Sequence, residues 1–389
     1  MQTSAKAATP HETGKLPFLP APSQELLLQA CLLENNDAVA AWQAWRTATA
    51  LGRIDLGSMR LLPLLADNLQ RLGVTDPALD KYRGVRRLTS ARNLQLLRAA
   101  AALLQRFKAA DIRAMALKGV VLATQYYGAP SLRAMADFDV LVQGADGPEA
   151  LAILQQEGWQ PLAGQFLPAT ATEFAVRTAC AFQDRMNREM QVDLHWRLLW
   201  GRYSRQAETM LWQKALPTQI NDVPCLAPCA ADMLVHVCAH GARWDDIPAL
   251  RWVADATMLV RSGKVDWDHV CAQTERMGLA PALLETLSYL RSKIAVPVPD
   301  DVITRIGLLH VKPIDRLLYE MELKPPAQLG LMTALKIHRH IAWNELAQTQ
   351  GAAGYFRYFA ALRRGRSLPE LISWAHRRLR LEPTQELPS

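Results

Sequence analysis

The segment Asp137-Phe138-Asp139-Val140-Leu141-Val142 tolerates few settings. Side chains alternate between the two faces of a strand. A strand here turns Phe138, Val140 and Val142 to one side and both aspartates to the other. The apolar side suits a core. The acidic side does not, because unpartnered like charges repel and lose hydration on burial. A divalent cation relieves both problems, and Mg²⁺ binds carboxylates while keeping positions for water and substrate phosphates. The sequence therefore predicts a sheet whose acid-bearing strand lines a cleft.

The flanking pattern supports a sheet of limited extent. Residues 22–110 read as successive helices with apolar spacings of three and four, the last opening at Thr89-Ser90. From residue 112 the rhythm changes. Ile112-Arg-Ala-Met-Ala-Leu-Lys118-Gly119 reads as a short strand closed by Gly, and Val120 to Gly128 as a helix. Gly147 to Trp159 reads as a second helix with Pro148 and Glu149 in its first turn. Gln191-Val-Asp193-Leu-His195-Trp196 alternates as a third strand. It places Asp193 and His195 on one face and Val192, Leu194 and Trp196 on the other. A third carboxylate on a neighbouring strand completes a two-metal site, which clamps the attacking and leaving oxygens of a phosphoryl displacement. From about 205 onward the chain reads as helical again.

These residues carry a resemblance. Leu117-Lys118-Gly119, Tyr126-Tyr127-Gly128, Arg133, Asp137-Phe-Asp139-Val-Leu-Val and Val192-Asp193-Leu194-His195-Trp196 resemble the uncharacterised nucleotidyltransferase family of the DNA polymerase β-like superfamily. His236, His240, Leu250-Arg-Trp-Val-Ala-Asp255 and Asp266-Trp267 extend the likeness, so that it covers most of residues 25–300. It implies an α+β fold, a small mixed-sheet core embedded in a mostly helical chain. It implies transfer of a nucleoside monophosphate from an NTP to a hydroxyl or phosphate on a small molecule, sugar or peptide, with pyrophosphate released. Two Mg²⁺ ions would be held by Asp137, Asp139 and Asp193, the last also helping to deprotonate the acceptor. Lys118, Gly119, Arg133 and His195 would meet the nucleotide. The wider superfamily has Ser or Gly after the turn glycine; here Val120 follows Gly119, so Lys118 is expected to supply the missing phosphate contact.

Plainer roles stand beside these. Arg133 can pair with a carboxylate, and His195 can be a structural hydrogen-bonding histidine. Cys225, Cys229, His236, Cys238 and His240 fall in one short window. Their spacing is unusual for a zinc knuckle, so the cysteines read as core filler and the histidines as helix–helix hydrogen-bond partners. The basic run Arg363, Arg364, Arg366, Arg377, Arg378 and Arg380 reads as a solvated helix face. The charge of +7 is too small to announce nucleic-acid binding. The expected organisation is a flexible tail (1–21), a helical region (22–110), the nucleotidyltransferase core (111–204), a helical domain (205–327) and a basic helical end (328–389). No segment has the length and apolarity of a membrane span or the form of a leader peptide. The expectation is a cytoplasmic enzyme with reduced cysteines. A non-catalytic binding protein on the same scaffold and an RNA-modifying transferase are the alternatives.

Overall fold

The computed structural model describes residues 16–49, 54–163, 165–187, 189–202, 204–245, 250–325 and 328–363. Helices α1 (Pro22–Leu32), α2 (Asn35–Ala48), α3 (Leu56–Met59), α4 (Leu62–Arg71) and α5 (Ala78–Ala109) come first. The middle of the chain runs β1 (Ala114–Leu117), α6 (Lys118–Gln125), β2 (Phe138–Val142), α7 (Gly147–Gln156), β3 (Trp159–Pro161) and α8 (Ala171–Val176). It continues with β4 (Ala179–Asp184), β5 (Gln191–His195), α9 (Arg205–Gln213), β6 (Leu216–Ile220) and β7 (Val223–Ala227). Helices α10 (Ala230–Gly241), α11 (Arg251–Arg261), α12 (Trp267–Arg276), α13 (Ala280–Ile294) and α14 (Asp300–Gly307) follow. The described chain ends with α15 (Pro313–Glu322), α16 (Leu331–Ala342) and α17 (Gln348–Arg363). The fold is α+β, as the sequence implies.

The seven strands among the described residues form one mixed sheet in the order β3-β4-β5-β2-β1-β7-β6. The acid-bearing β2 lies at its centre, antiparallel to β1 and parallel to β5. Period-two alternation appears directly in the packing. Phe138, Val140, Val142, Val192 and Leu194 join the main core with α6 residues such as Val120 and Val121. The opposite face, through Met115, Leu117 and Leu141, packs on Leu211 and Trp212 of α9. The acids share that second face, beyond the apolar cover of α9.

Three expectations are corrected. Phe18 falls inside the stretch read as a flexible tail, yet it is only 2% exposed and packs edge-on against Trp252. The region from 205, read as helical, contains the β6–β7 hairpin, and β7 extends the sheet by pairing parallel with β1. The last N-terminal helix begins at Ala78 rather than near Thr89. The basic run beyond Arg363 lies outside the described residues. Among the described residues no helix is long and apolar enough to cross a membrane.

Candidate active site

Two strand ends and one turn build the site. Register pairs Asp139 with Asp193 on the parallel strands β2 and β5, so two carboxylates stand side by side on one face. His195, two residues on, shares the face, and its Nε2 lies 3.1 Å from Asp139 Oδ1. Leu117, the last residue of β1, pairs with Asp139 across the antiparallel ladder. The next residue, Lys118, therefore turns in beside that acid, with Nζ 3.8 Å from Oδ1. Lys118 has φ of 35°, a left-handed conformation that costs a long side chain of the order of 1 kcal/mol or more. Strain of this kind concentrates at functional sites.

Electrostatics at these acids is lopsided. Burial works against the charge of Asp139, which is 7% exposed. Lys118 and the His195 hydrogen bond outweigh that and hold its carboxyl well below the usual range. At Asp193 the same two residues are outweighed. Burial, with the charge of Asp139 beside it, pushes its pKa up to about 6. The oxygens of Asp139 and Asp193 and a ring nitrogen of His195 lie within 4.8 Å of one another. This donor set fits a divalent cation. Asp137 precedes β2 instead of opening it. It lines the same cleft but stands outside the tight triplet.

A stability prediction follows from Asp193. Its folded pKa near 6 exceeds the unfolded value of about 3.9, so the folded chain holds this proton more tightly. That contribution is complete below about pH 4 and is lost as pH rises through 6. Asp193→Asn removes the ionisation. In chelator, the variant should exceed the wild type in stability by roughly 1–2 kcal/mol at pH 8, and the two should converge at pH 4. Chemical denaturation at both pH values checks this; equal stability at pH 8 would mean that the two acids do not strain one another.

Arg133 is engaged elsewhere. Its Nε and Nη2 donate to the two oxygens of Asp255 on α11, both at 2.8 Å. The Tyr127 hydroxyl donates to the same carboxylate at 2.7 Å. Arg133 still borders the cleft, but its fork is filled by protein. This also explains Gly119. A Cβ there would lie 3.2 Å from Arg133 Nη1 and 3.3 Å from Met135 Sδ, so the glycine makes room for the buried arginine.

The cleft has a volume of about 210 Å³. Its second wall comes from the helical part of the chain: His240, Arg243 and Arg251 face the acids. Sequence reasoning gave Arg243 and Arg251 no role at the acids, although Arg251 and Asp255 have the four-residue spacing of one helix face. A larger, more open depression beside Trp212 has no converging carboxylates.

Among the described residues the cysteine–histidine window gathers no group of three possible metal ligands. Cys229 instead donates to Asp232, which also accepts from Gln273 and contacts His269. His236 forms no helix–helix hydrogen bond: both ring nitrogens are buried without a partner among the described residues. Burial, reinforced by the charge of Lys118, keeps its pKa well below the ordinary histidine value, so the ring is neutral.

The family model for an uncharacterised nucleotidyltransferase matches residues 56–293. Among solved structures, the chain is similar to an antigenic nucleotidyltransferase-like protein from Paracoccidioides brasiliensis. The identity is 12%, covering 54% of this chain and 95% of that one, with a TM-score of 0.34. No curated protein gives a significant match.

Proposed function

The chain belongs to the uncharacterised nucleotidyltransferase family, and from that premise we propose that it moves a nucleoside monophosphate from an NTP to an acceptor oxygen. The acceptor is a hydroxyl or phosphate on a small molecule, sugar or peptide. The new bond joins that oxygen to the α-phosphorus, the bond from the α-phosphorus to the bridging oxygen breaks, and pyrophosphate leaves. The observation that carries this reading is the pairing of Asp139 with Asp193 in a cleft whose other wall is cationic. Such a cleft accepts metal ions and phosphates together.

Asp139 and Asp193, with Asp137 at the cleft edge, would hold two Mg²⁺ ions. Bound there, the ions supply Lewis-acid charge to the transferring phosphoryl group. The other roles belong to the chain. His195 holds Asp139 in orientation through its Nε2 contact. Lys118 offers an ammonium to the phosphates, the contact that a serine would make in the wider superfamily. A carboxylate oxygen of Asp193 receives the acceptor's proton. Arg133 braces the turn and leaves phosphate contact to other cations. The six cysteines are free thiols, which suits work in the cytoplasm.

Thermal-shift titration with ATP, GTP, CTP and UTP, with and without Mg²⁺, tests this reading. At least one NTP should stabilise the protein in a metal-dependent way, by about 2.7 kcal/mol at a hundred times its Kd. No response to any NTP with metal present would sink the enzyme reading in favour of a non-catalytic scaffold.

A further inference from the structure

Two guanidinium groups in the cleft lack a carboxylate partner among the described residues. Arg251 donates from Nη1 to the backbone oxygen of Ala134 at 2.8 Å. Arg243 donates from Nε to the backbone oxygen of His240 at 3.2 Å. Asp245 acts on Arg243 and Asp137 on Arg251 through space alone, and the other acid near each is already bound. Asp255 is bound by Arg133 and Tyr127, and Glu322 is bound by Arg202 at 2.8 Å. Burial lowers the pKa of both arginines, and for Arg251 the neighbouring charges of Arg133 and Arg60 add to the effect.

A partly desolvated cation without a counter-charge is costly. Here two of them line one cleft from different elements, Arg243 just after α10 and Arg251 at the start of α11. Arg243 acts electrostatically on Lys118 at the turn. Arg251 lies within reach of Arg133 and Asp137, before β2. One carboxylate or monophosphate offers a single anionic centre for such a spread. A chain of linked phosphates offers several, with oxygens that match the planar guanidinium fork.

We propose that Arg243 and Arg251 form a clamp for the β- and γ-phosphates of the donor, so that the helical part of the chain sets the preference for a triphosphate. The proposal rests on the nucleotidyl-transfer reading above. Substrate recognition is thereby divided between the two walls. The sheet holds the acids and the reacting phosphorus, and Arg243, after α10, with Arg251, at the start of α11, holds the leaving pyrophosphate.

Inorganic tripolyphosphate is the direct probe, because it carries the phosphates without a base. Its binding to the full chain, and that of ATP, AMP and adenosine, is measured by calorimetry in Mg²⁺. The wild type is compared with Arg243→Gln and Arg251→Gln; glutamine at 251 can still donate to Ala134. Charge-assisted hydrogen bonds of this class correspond to roughly ten- to hundredfold in affinity. Each substitution should weaken tripolyphosphate and ATP by that factor, and AMP and adenosine by less than about threefold. Arg251→Lys, which keeps charge and loses the fork, should fall between. It also serves if the glutamine variant misfolds by circular dichroism.

Equal losses for all ligands, or none, would overturn the clamp. So would a wild type that binds no tripolyphosphate. A wild type that binds tripolyphosphate through both arginines yet transfers no nucleotide would instead sink the transfer reading and leave the clamp standing.

Discussion

Asp139→Asn is expected to lower nucleotidyl transfer by about a thousandfold or more while the protein stays folded. Asparagine keeps the size of the side chain and an oxygen that accepts from His195, so the β2–β5 contact survives. The charge is lost. Asp139 is the acid whose ionisation the site protects most strongly, through Lys118 and His195, and it faces Asp193 across the strand pair. A thousandfold corresponds to about 4 kcal/mol of transition-state stabilisation, in the range a bound metal supplies. Pyrophosphate release with an accepted acceptor measures the effect, and circular dichroism checks the fold. Asp137→Asn should be the milder change, because Asp137 stands outside the triplet of donor atoms. Turnover within tenfold of wild type in the Asp139 variant would remove the metal-binding role from this residue.

The legible parts of the fold are those fixed by local pattern. β1 is apolar throughout and runs into a Lys-Gly turn, β2 is apolar but for Asp139, and β5 alternates strictly. The strands that escaped the sequence reading are edge or near-edge strands. β6, Leu-Pro-Thr-Gln-Ile, has a proline and is buried only at Ile220. It carries little of the apolar signal that defines a central strand, and Pro is tolerated there because it lies at the edge. The early start of α5 was hidden for a related reason. Residues Asp80 to Leu88 include Gly84 and many charges, and their helical state is supported by pairs such as Arg86 with Asp67 on α4. The candidate site divides in the same way. Asp139, Asp193 and Lys118 are placed by strand register, which spacing reveals. The partner of Arg133 lies 122 residues downstream, so no local pattern could assign it. The same holds for Arg243 and Arg251, which reach the acids only because α10 and α11 fold back over them.

That long-range pair predicts the largest stability effect. Asp255→Ala should destabilise the protein by about 3–5 kcal/mol, because removing one partner of a buried ion pair strands the other. Arg133 is 6% exposed, and here it would lose both of its carboxylate bonds. The Tyr127 hydroxyl would lose its acceptor as well. The damage extends beyond one contact, since Arg133 lies just before β2 while Asp255 belongs to α11. Their bond fastens the acid-bearing strand to the helical wall that carries Arg251. Replacing both partners with apolar residues, Arg133→Met with Asp255→Leu, separates the charge cost from the role in packing. The double variant should regain much of the lost stability, because a buried pair is often matched by hydrophobes of similar volume. It should still bind NTP less well than wild type, because the two walls are no longer held in register by a directional bond. Urea denaturation of the single and double variants measures the first effect and calorimetric titration the second. A cost below about 1 kcal/mol for Asp255→Ala would mean that Arg133 reaches solvent or another acid when freed, and that the cleft is held together by apolar packing alone.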